Sequence, residues 1–286
     1  MLSAIYIKKY IIFSIFLLLL SACTEKPVEK QTLNVRHLAN KAFENQNYQD
    51  AIVYFQQAIQ TGASKDDYSK LATAYQNIGD WERALEVWLA LASYPVALKD
   101  NEITEDQLRT STTPNEHVTF RLNATESHIR LGQDKAALNM IRSIEAQTQE
   151  FDADLISKAA LSRRTTLLEG LAHIVGLNES EAINSFRKIL KRFPNDQTAI
   201  TNMGLTYLVF MKTDIALQTF RIISAQERKA ELQALALSSA ERIPEAEKQL
   251  EPYFDSQTIG QKISYGRQLA KMTSQQRIQT LFSIAK

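Results

Sequence analysis

The strongest constraint on this chain is a pattern that returns at a fixed period. The stretch LATAYQNIGDWERALEVWLAL carries Ala72, Tyr75, Gly79, Trp81, Ala84 and Trp88. Ala39, Tyr48, Ala51 and Phe55 stand 33 residues before Ala72, Trp81, Ala84 and Trp88. Further on, Gly170, His173, Ala182 and Phe186 align without a gap to Gly204, Tyr207, Ala216 and Phe220 at a spacing of 34. A period of this size marks a stack of like units, each too small to bury its apolar face alone. Small residues suit the close crossing of two antiparallel helices, and aromatic rings fill the space beside them. Gly79-Asp80 reads as the turn inside a unit, and Pro194 as the end of a second helix. Eight glycines and six prolines among 286 residues leave little punctuation, which argues for helices and against an all-β chain.

These spacings resemble the tetratricopeptide repeat, a pair of helices in about 34 residues. The resemblance implies an all-α fold, a right-handed superhelix of about five to six helix pairs with a C-terminal capping helix. Gly132, Ala137, Ile141 and Ile144 mark a degenerate unit, and Ala234, Leu237, Ala246 and Leu250 a shortened last one. The expected organisation is a leader over 1–22, a tether over 23–31, an N-terminal repeat pair over 32–95 and a polar insertion over 96–119. Repeat units then fill 120–256, and a helical tail or cap closes the chain over 257–286.

The leader has Lys8 and Lys9 before a ten-residue apolar run, IIFSIFLLLL. A membrane-spanning helix needs roughly 20 apolar residues to cross ~30 Å, so the run reads as a secretion signal. Leu20-Ser21-Ala22-Cys23 matches the lipobox of bacterial lipoproteins at each position. That resemblance implies a thioether-linked lipid on Cys23, and two or three acyl chains anchor firmly where one is marginal. Thr24, rather than Asp, follows the cysteine, which in such lipoproteins implies the outer membrane, periplasmic face. Cys23 is the only cysteine, so no internal disulfide can form.

No catalytic constellation emerges. The sequence has no phosphate-binding glycine loop, no HExxH helix and no Cys or Cys/His spacing for a metal. His37, His117, His128 and His173 are scattered, and His173 takes the packing position of a repeat tyrosine. Ser127 and His128 are adjacent and diverge around a helix. Glu179 and Glu181 suit a helix start, and Trp81 and Trp88 suit a repeat core. The formal charge of +1, which becomes −1 without Lys8 and Lys9, carries no basic stripe. The expectation is a non-enzyme with protein partners and a membrane anchor, without nucleic acid, small-molecule substrate or any cofactor beyond the lipid on Cys23.

In this repeat the first helix of each unit lines the concave face. Its positions are polar or mixed in the first two units: Asn40, Phe43 and Glu44, then Thr73, Gln76 and Asn77. In the two gapless units they are aliphatic: Leu171, Ile174 and Val175, then Leu205, Leu208 and Val209. Six aliphatic residues on one face form a candidate partner-binding groove. The alternative is that the chain's own tail, around Ile263 to Ile284, fills it.

The C-terminal third resembles a narrower family. Leu235, Ala236, Leu237, Arg242, Glu245, Ala246 and Glu247, followed by Tyr265 and Arg267, resemble TadD, the tetratricopeptide lipoprotein of tight-adherence (Flp pilus) assembly. The resemblance covers the lipobox and residues 165–272. It implies a scaffold or pilotin-like role, with a secretin or other pilus-assembly components as partners. A type IV pilus pilotin, an outer-membrane assembly subunit and an adaptor for periplasmic peptidoglycan enzymes remain open beside it.

Overall fold

The computed structural model describes residues 28–60, 62, 64–95, 112–150 and 158–284. The leader, Cys23, the start of the tether and most of the polar insertion lie outside them. Among the described residues, fourteen α-helices follow one another, and the sole β feature is an isolated bridge at Thr112. The fold class is all-α. The chain divides into two compact units, Met1–Gly79 and Asp80–Lys286.

Unit 1 holds α1 (Val28–Glu44), α2 (Tyr48–Gln60) and α3 (Lys65–Ile78), each packed on the next. Its core is Ala39, Ala51, Phe55, Ala58, Leu71, Ala72 and Tyr75, all buried, so the repeat positions legible in the sequence are the packing positions. Ser64 caps α3 in a reciprocal box with Asp67, which satisfies two backbone donors at the helix start. Asp67 is also buried and paired with Arg36, whose Nη2 lies 2.9 Å from its carboxylate and reaches the Gly62 carbonyl at 2.7 Å.

Unit 2 begins with α4 (Trp81–Ala92), α5 (Pro114–Arg130), α6 (Asp134–Glu150), α7 (Lys158–Val175) and α8 (Glu179–Arg192). It continues with α9 (Gln197–Val209), α10 (Thr213–Phe220), α11 (Gln226–Ser239), α12 (Ile243–Leu250), α13 (Ser256–Lys271) and α14 (Ser274–Ile284). From α4 to α13 each helix packs on its successor, α11 also meets α13, and α14 turns back onto α7 and α9. The glycines of the gapless units explain the close crossing. A Cβ on Gly170 would sit 2.6 Å from the Phe186 ring, and one on Gly204 would sit 2.2 Å from the Phe220 ring. Both phenylalanines are fully buried, so the missing side chain of the first helix makes room for the ring of the second.

Five turns between first and second helices close in the same way. Gln46, Gly132, Leu177, Met211 and Glu241 adopt φ between 57° and 78°. Each next residue donates its N–H to the carbonyl five before it: Asn47 to Ala42, Gln133 to His128, Asn178 to His173, Lys212 to Tyr207 and Arg242 to Leu237, at 2.8–2.9 Å. This is the left-handed helix stop. Only one of the five uses glycine, so a search for glycine alone misses most of the turns.

Three boundaries differ from those expected. The insertion does not run to residue 119, because α5 starts at Pro114. Thr113-Pro114-Asn115-Glu116 looks like a polar loop but is a capping box: the Thr113 hydroxyl accepts from Glu116 N–H, and Glu116 accepts from Thr113 N–H at 2.8 Å. Proline at the first helical position completes that start. At the other end of the chain's leader region, α1 takes in Val28 to Gln31, the last part of the expected tether, because Glu-Lys-Gln are helix formers. The tail is not one cap but two helices with different duties. α13 continues the stack, and a Cβ on Gly266 would fall 1.9 Å from the buried Ser238 hydroxyl of α11. α14 leaves the stack.

Candidate partner-binding face

The first helices of unit 2 carry the aliphatic positions, and their geometry follows from the pairs just described. Gly170 and Gly204 pull α7 and α9 onto their second helices. Ile174 and Leu208 stand four residues on and share the glycine side, whereas Val175, Leu205 and Val209 stand one or five residues on, about 100–140° round the helix. All five are buried, and Leu171 is partly buried against the same core. The cover is α14. Ile278, Leu281 and Phe282 join that core and are themselves buried. The aliphatic half of the expected groove is therefore not an open surface here. Solvated hydrocarbon is costly, and an amphipathic segment of the same chain removes it from water.

Two arginines fasten the cover. Arg277 on α14 is buried, and its Nε donates to the Val209 carbonyl at 2.9 Å. Its other nitrogens donate to the Met272 carbonyl and to Ser274 Oγ. Val209 ends α9, so a cation meets the negative end of a helix and satisfies a carbonyl that the helix leaves free. Burial pushes the Arg277 pKa down, the expected direction for a desolvated cation. From the other side, Arg130 at the end of α5 donates to the Phe282 carbonyl at 2.7 Å. Its guanidinium lies 5.0 Å from the Phe282 ring centre and 5.2 Å from that of Trp81. Burial lowers its pKa, and Glu126, 3.7 Å away, opposes the shift.

The start of α9 is held separately. Asp196 caps it by accepting from the Ala199 N–H at 3.0 Å, and it pairs with Arg163 of the preceding unit. Burial works to raise the Asp196 pKa, but the Arg163 and backbone donors outweigh it and the net shift is downward. Further bridges join neighbouring units: Lys212 to Glu179 at 2.7 Å and Arg242 to Asp214 at 3.0 Å. Exposed pairs of this kind add little stability.

The face of unit 1 is different. Asn40 accepts from Lys70 Nζ at 2.9 Å, Thr73 bonds the Ser69 carbonyl, and the exposed Asn77 bonds the Thr73 carbonyl. Phe43 does not belong with them. Its ring stands edge-on to Tyr48 and Phe55, at 5.7 and 6.2 Å, which makes it a packing residue between α1 and α2. Asn40, Thr73 and Asn77 thus stay on a polar face, and the six aliphatic positions gather in a different unit.

Sequence reasoning missed Arg130 and Arg277, which fasten α14. Nothing in a lone arginine announces that it will cap a distant helix. The apolar spacing of Ile278, Leu281 and Phe282 was the available signal for the cover. The histidines form no site: His37 is exposed, His128 Nδ1 meets Gln133 at 2.6 Å, and His117 and His173 bury an Nδ1 without a partner. Among the described residues no group of three His, Cys, Asp or Glu could hold a metal ion, and no helix is long and apolar enough to cross a membrane. Cys23 lies outside the described residues.

Comparison with protein-family models and with curated proteins returns no match. Among solved structures, the chain is similar to a tetratricopeptide repeat protein from Parabacteroides merdae. The TM-score is 0.59 at 13% identity over 82% of this chain and 84% of that one. A likeness at a TM-score of 0.47 and 17% identity reaches MamA of Desulfovibrio magneticus, over 67% of this chain and 92% of that one. The first of these shows the fold: paired helices of the tetratricopeptide kind.

Proposed function

We propose that this protein is a lipid-anchored interaction scaffold of the outer membrane, periplasmic face, and that it serves assembly of a tight-adherence (Flp) pilus apparatus. The observation that carries the scaffold reading is the face of the first helices. Each unit carries its own first-helix surface, polar in unit 1 and, in unit 2, aliphatic and occupied by a helix of the same chain. A surface of that kind binds protein rather than transforming a substrate. The anchor reading rests on Leu20-Ser21-Ala22-Cys23.

The pilus reading rests on the TadD resemblance, and the structure gives its residues physical duties. Leu235, Ala236, Leu237 and Ala246 are buried in the last repeat unit. Arg242 pairs with Glu245 at 2.6 Å, and Arg267 with Glu241 at 3.1 Å. Tyr265 packs against the core shared with α14. Leu235, Ala236 and Tyr265 belong to the core that α14 also joins, whereas Glu245, Glu247 and Arg267 are exposed.

Two experiments test the proposal. Cys23→Ser should lose metabolic labelling by a clickable palmitate, and unchanged labelling overturns the anchor. Deletion should reduce surface Flp-type pili and assembled secretin while prepilin synthesis persists. Normal piliation with a normal secretin ladder overturns the pilus role, and crosslinked pull-down from the outer membrane then identifies the true partner.

A further inference from the structure

α14 is not needed to close the stack. α13 already presents a polar outer face, with Gln257, Gln261, Ser264 and Gln268 exposed. A repeat stack requires such an end and nothing beyond it. Yet α14 departs through Met272-Thr273, where Met272 is extended (φ −82°, ψ 152°), and returns over α7 and α9. It has eleven residues. Helices of that length are marginal alone in water, so the groove supplies its order.

The fastening is also general in kind. Arg130 reads a main-chain carbonyl and a ring, and Arg277 reads the carbonyl that ends α9. None of the contacts described for α14 is an ion pair with a carboxylate. A helix on another protein could supply the same guanidinium, the same carbonyl and the same apolar volume.

We propose that the face of α5, α7 and α9 is a helix-binding groove whose resident ligand is α14. Its external partner is an amphipathic helix with an arginine followed by apolar side chains one, four and five residues later. That is the spacing of Arg277, Ile278, Leu281 and Phe282. This assignment deepens the scaffold reading and rests on it, since it names the chemistry the scaffold recognises. The tail holds the groove shut until such a helix competes with it. Because the tail is tethered, it acts at an effective concentration of about millimolar, and a free peptide meets strong competition in the intact chain.

A fluorescent peptide of residues 272–286 tests the groove with the full chain. Wild-type protein should bind it weakly. Full-length protein carrying Arg277→Ala and Phe282→Ala, which loosens its own tail and leaves the groove intact, should bind it at least ~10-fold more tightly. The same two changes in the peptide should abolish that binding. Hydrogen exchange on wild-type protein supplies a readout that needs no variant. The α14 amides should open before those of α7 and α9, and excess peptide should speed them further. Equal peptide binding by wild type and a folded variant overturns the proposal, as does exchange of α14 only when all of unit 2 unfolds. A loosened variant that pairs with itself and excludes the peptide also overturns it, and assigns the groove to a second copy. These outcomes are independent of the deletion phenotype. Loss of the pilus role leaves the peptide result standing, and failure of the peptide leaves the pilus role standing.

Discussion

The two units carry the same repeat but treat its first-helix face in opposite ways. In unit 1, Asn40, Thr73 and Asn77 make hydrogen bonds within the unit and need no cover. In unit 2, the matching positions are Leu171, Leu205 and Val209, buried or nearly so beneath α14. The positions that set the helix crossing are alike in both: small residues at Ala39, Ala72, Gly170 and Gly204, and a buried aromatic at Phe55, Phe186 and Phe220. The repeat therefore constrains the contact between paired helices and leaves the first-helix face free. What fills that face decides whether it is solvated, covered or available to a partner.

The largest effect should come from placing a charge at one repeat position in both units. Leu205→Asp buries an unpaired carboxylate against α14 and should cost about 3–5 kcal/mol. Thr73→Asp, on the polar face, should cost under about 1 kcal/mol. Denaturant midpoints of the two full-length variants measure the gap, and equal midpoints would break the distinction between the faces.

A methyl group at the helix crossing comes next. Gly204→Ala drives a Cβ into the Phe220 ring and should cost ~1–3 kcal/mol, with the loss felt by the neighbouring units. Unit 1 already has a fully buried alanine at that position in Ala39, so its α1–α2 crossing accommodates a Cβ there. A wild-type midpoint for Gly204→Ala would show that Phe220 yields freely.

Turn residues predict a gain. Met211 sits at φ 57° with an exposed side chain, a conformation that disfavours any residue with a Cβ. Met211→Gly should stabilise unit 2 by about 1 kcal/mol, and Gln46→Gly, at φ 60°, should do the same in unit 1. Thermal midpoints that fall instead would mean these side chains contribute packing that outweighs the backbone cost.

The smallest effect is a pH dependence specific to unit 2. Burial lowers the His117 pKa below its ordinary 6.5, and the nearby charge of Arg121 lowers it further, against an opposing contribution from Gln147. The native state therefore holds His117 neutral at pH values where the unfolded chain takes up a proton. Stability from this group is complete above pH 6.5 and declines as pH falls from there towards the native pKa. Replacing His117 by glutamine should flatten that decline, and an unchanged slope of stability against pH would place the acid sensitivity elsewhere.

Much of this molecule could be read before any coordinates. The period of 33 to 34 residues determined the helix pairs. Ala51, Ala182, Ala216, Phe55, Phe186 and Phe220 were legible as core because each helix crossing demands the same sizes at the same spacing. The cap at Thr113 was missed because Thr-Pro-Asn reads as a loop until Glu116 closes the box. Four of the five left-handed stops carry no glycine to read. Gln46, Leu177, Met211 and Glu241 are exposed, and a local hydrogen bond from the next residue to the carbonyl five before it closes each turn against the residue's own preference.

Only the tertiary structure decided the fate of the aliphatic face. Leu171, Ile174, Val175, Leu205, Leu208 and Val209 declare in the sequence that something apolar must cover them, since burial is a local demand of each side chain. Which segment answers that demand depends on where the chain can reach after α13. Arg130 and Arg277 act across 152 and 68 residues of sequence, on Phe282 and Val209. Periodicity records only what neighbouring turns of helix require of each other. A contact made by one turn of the chain at α14, without repetition, leaves no period to read.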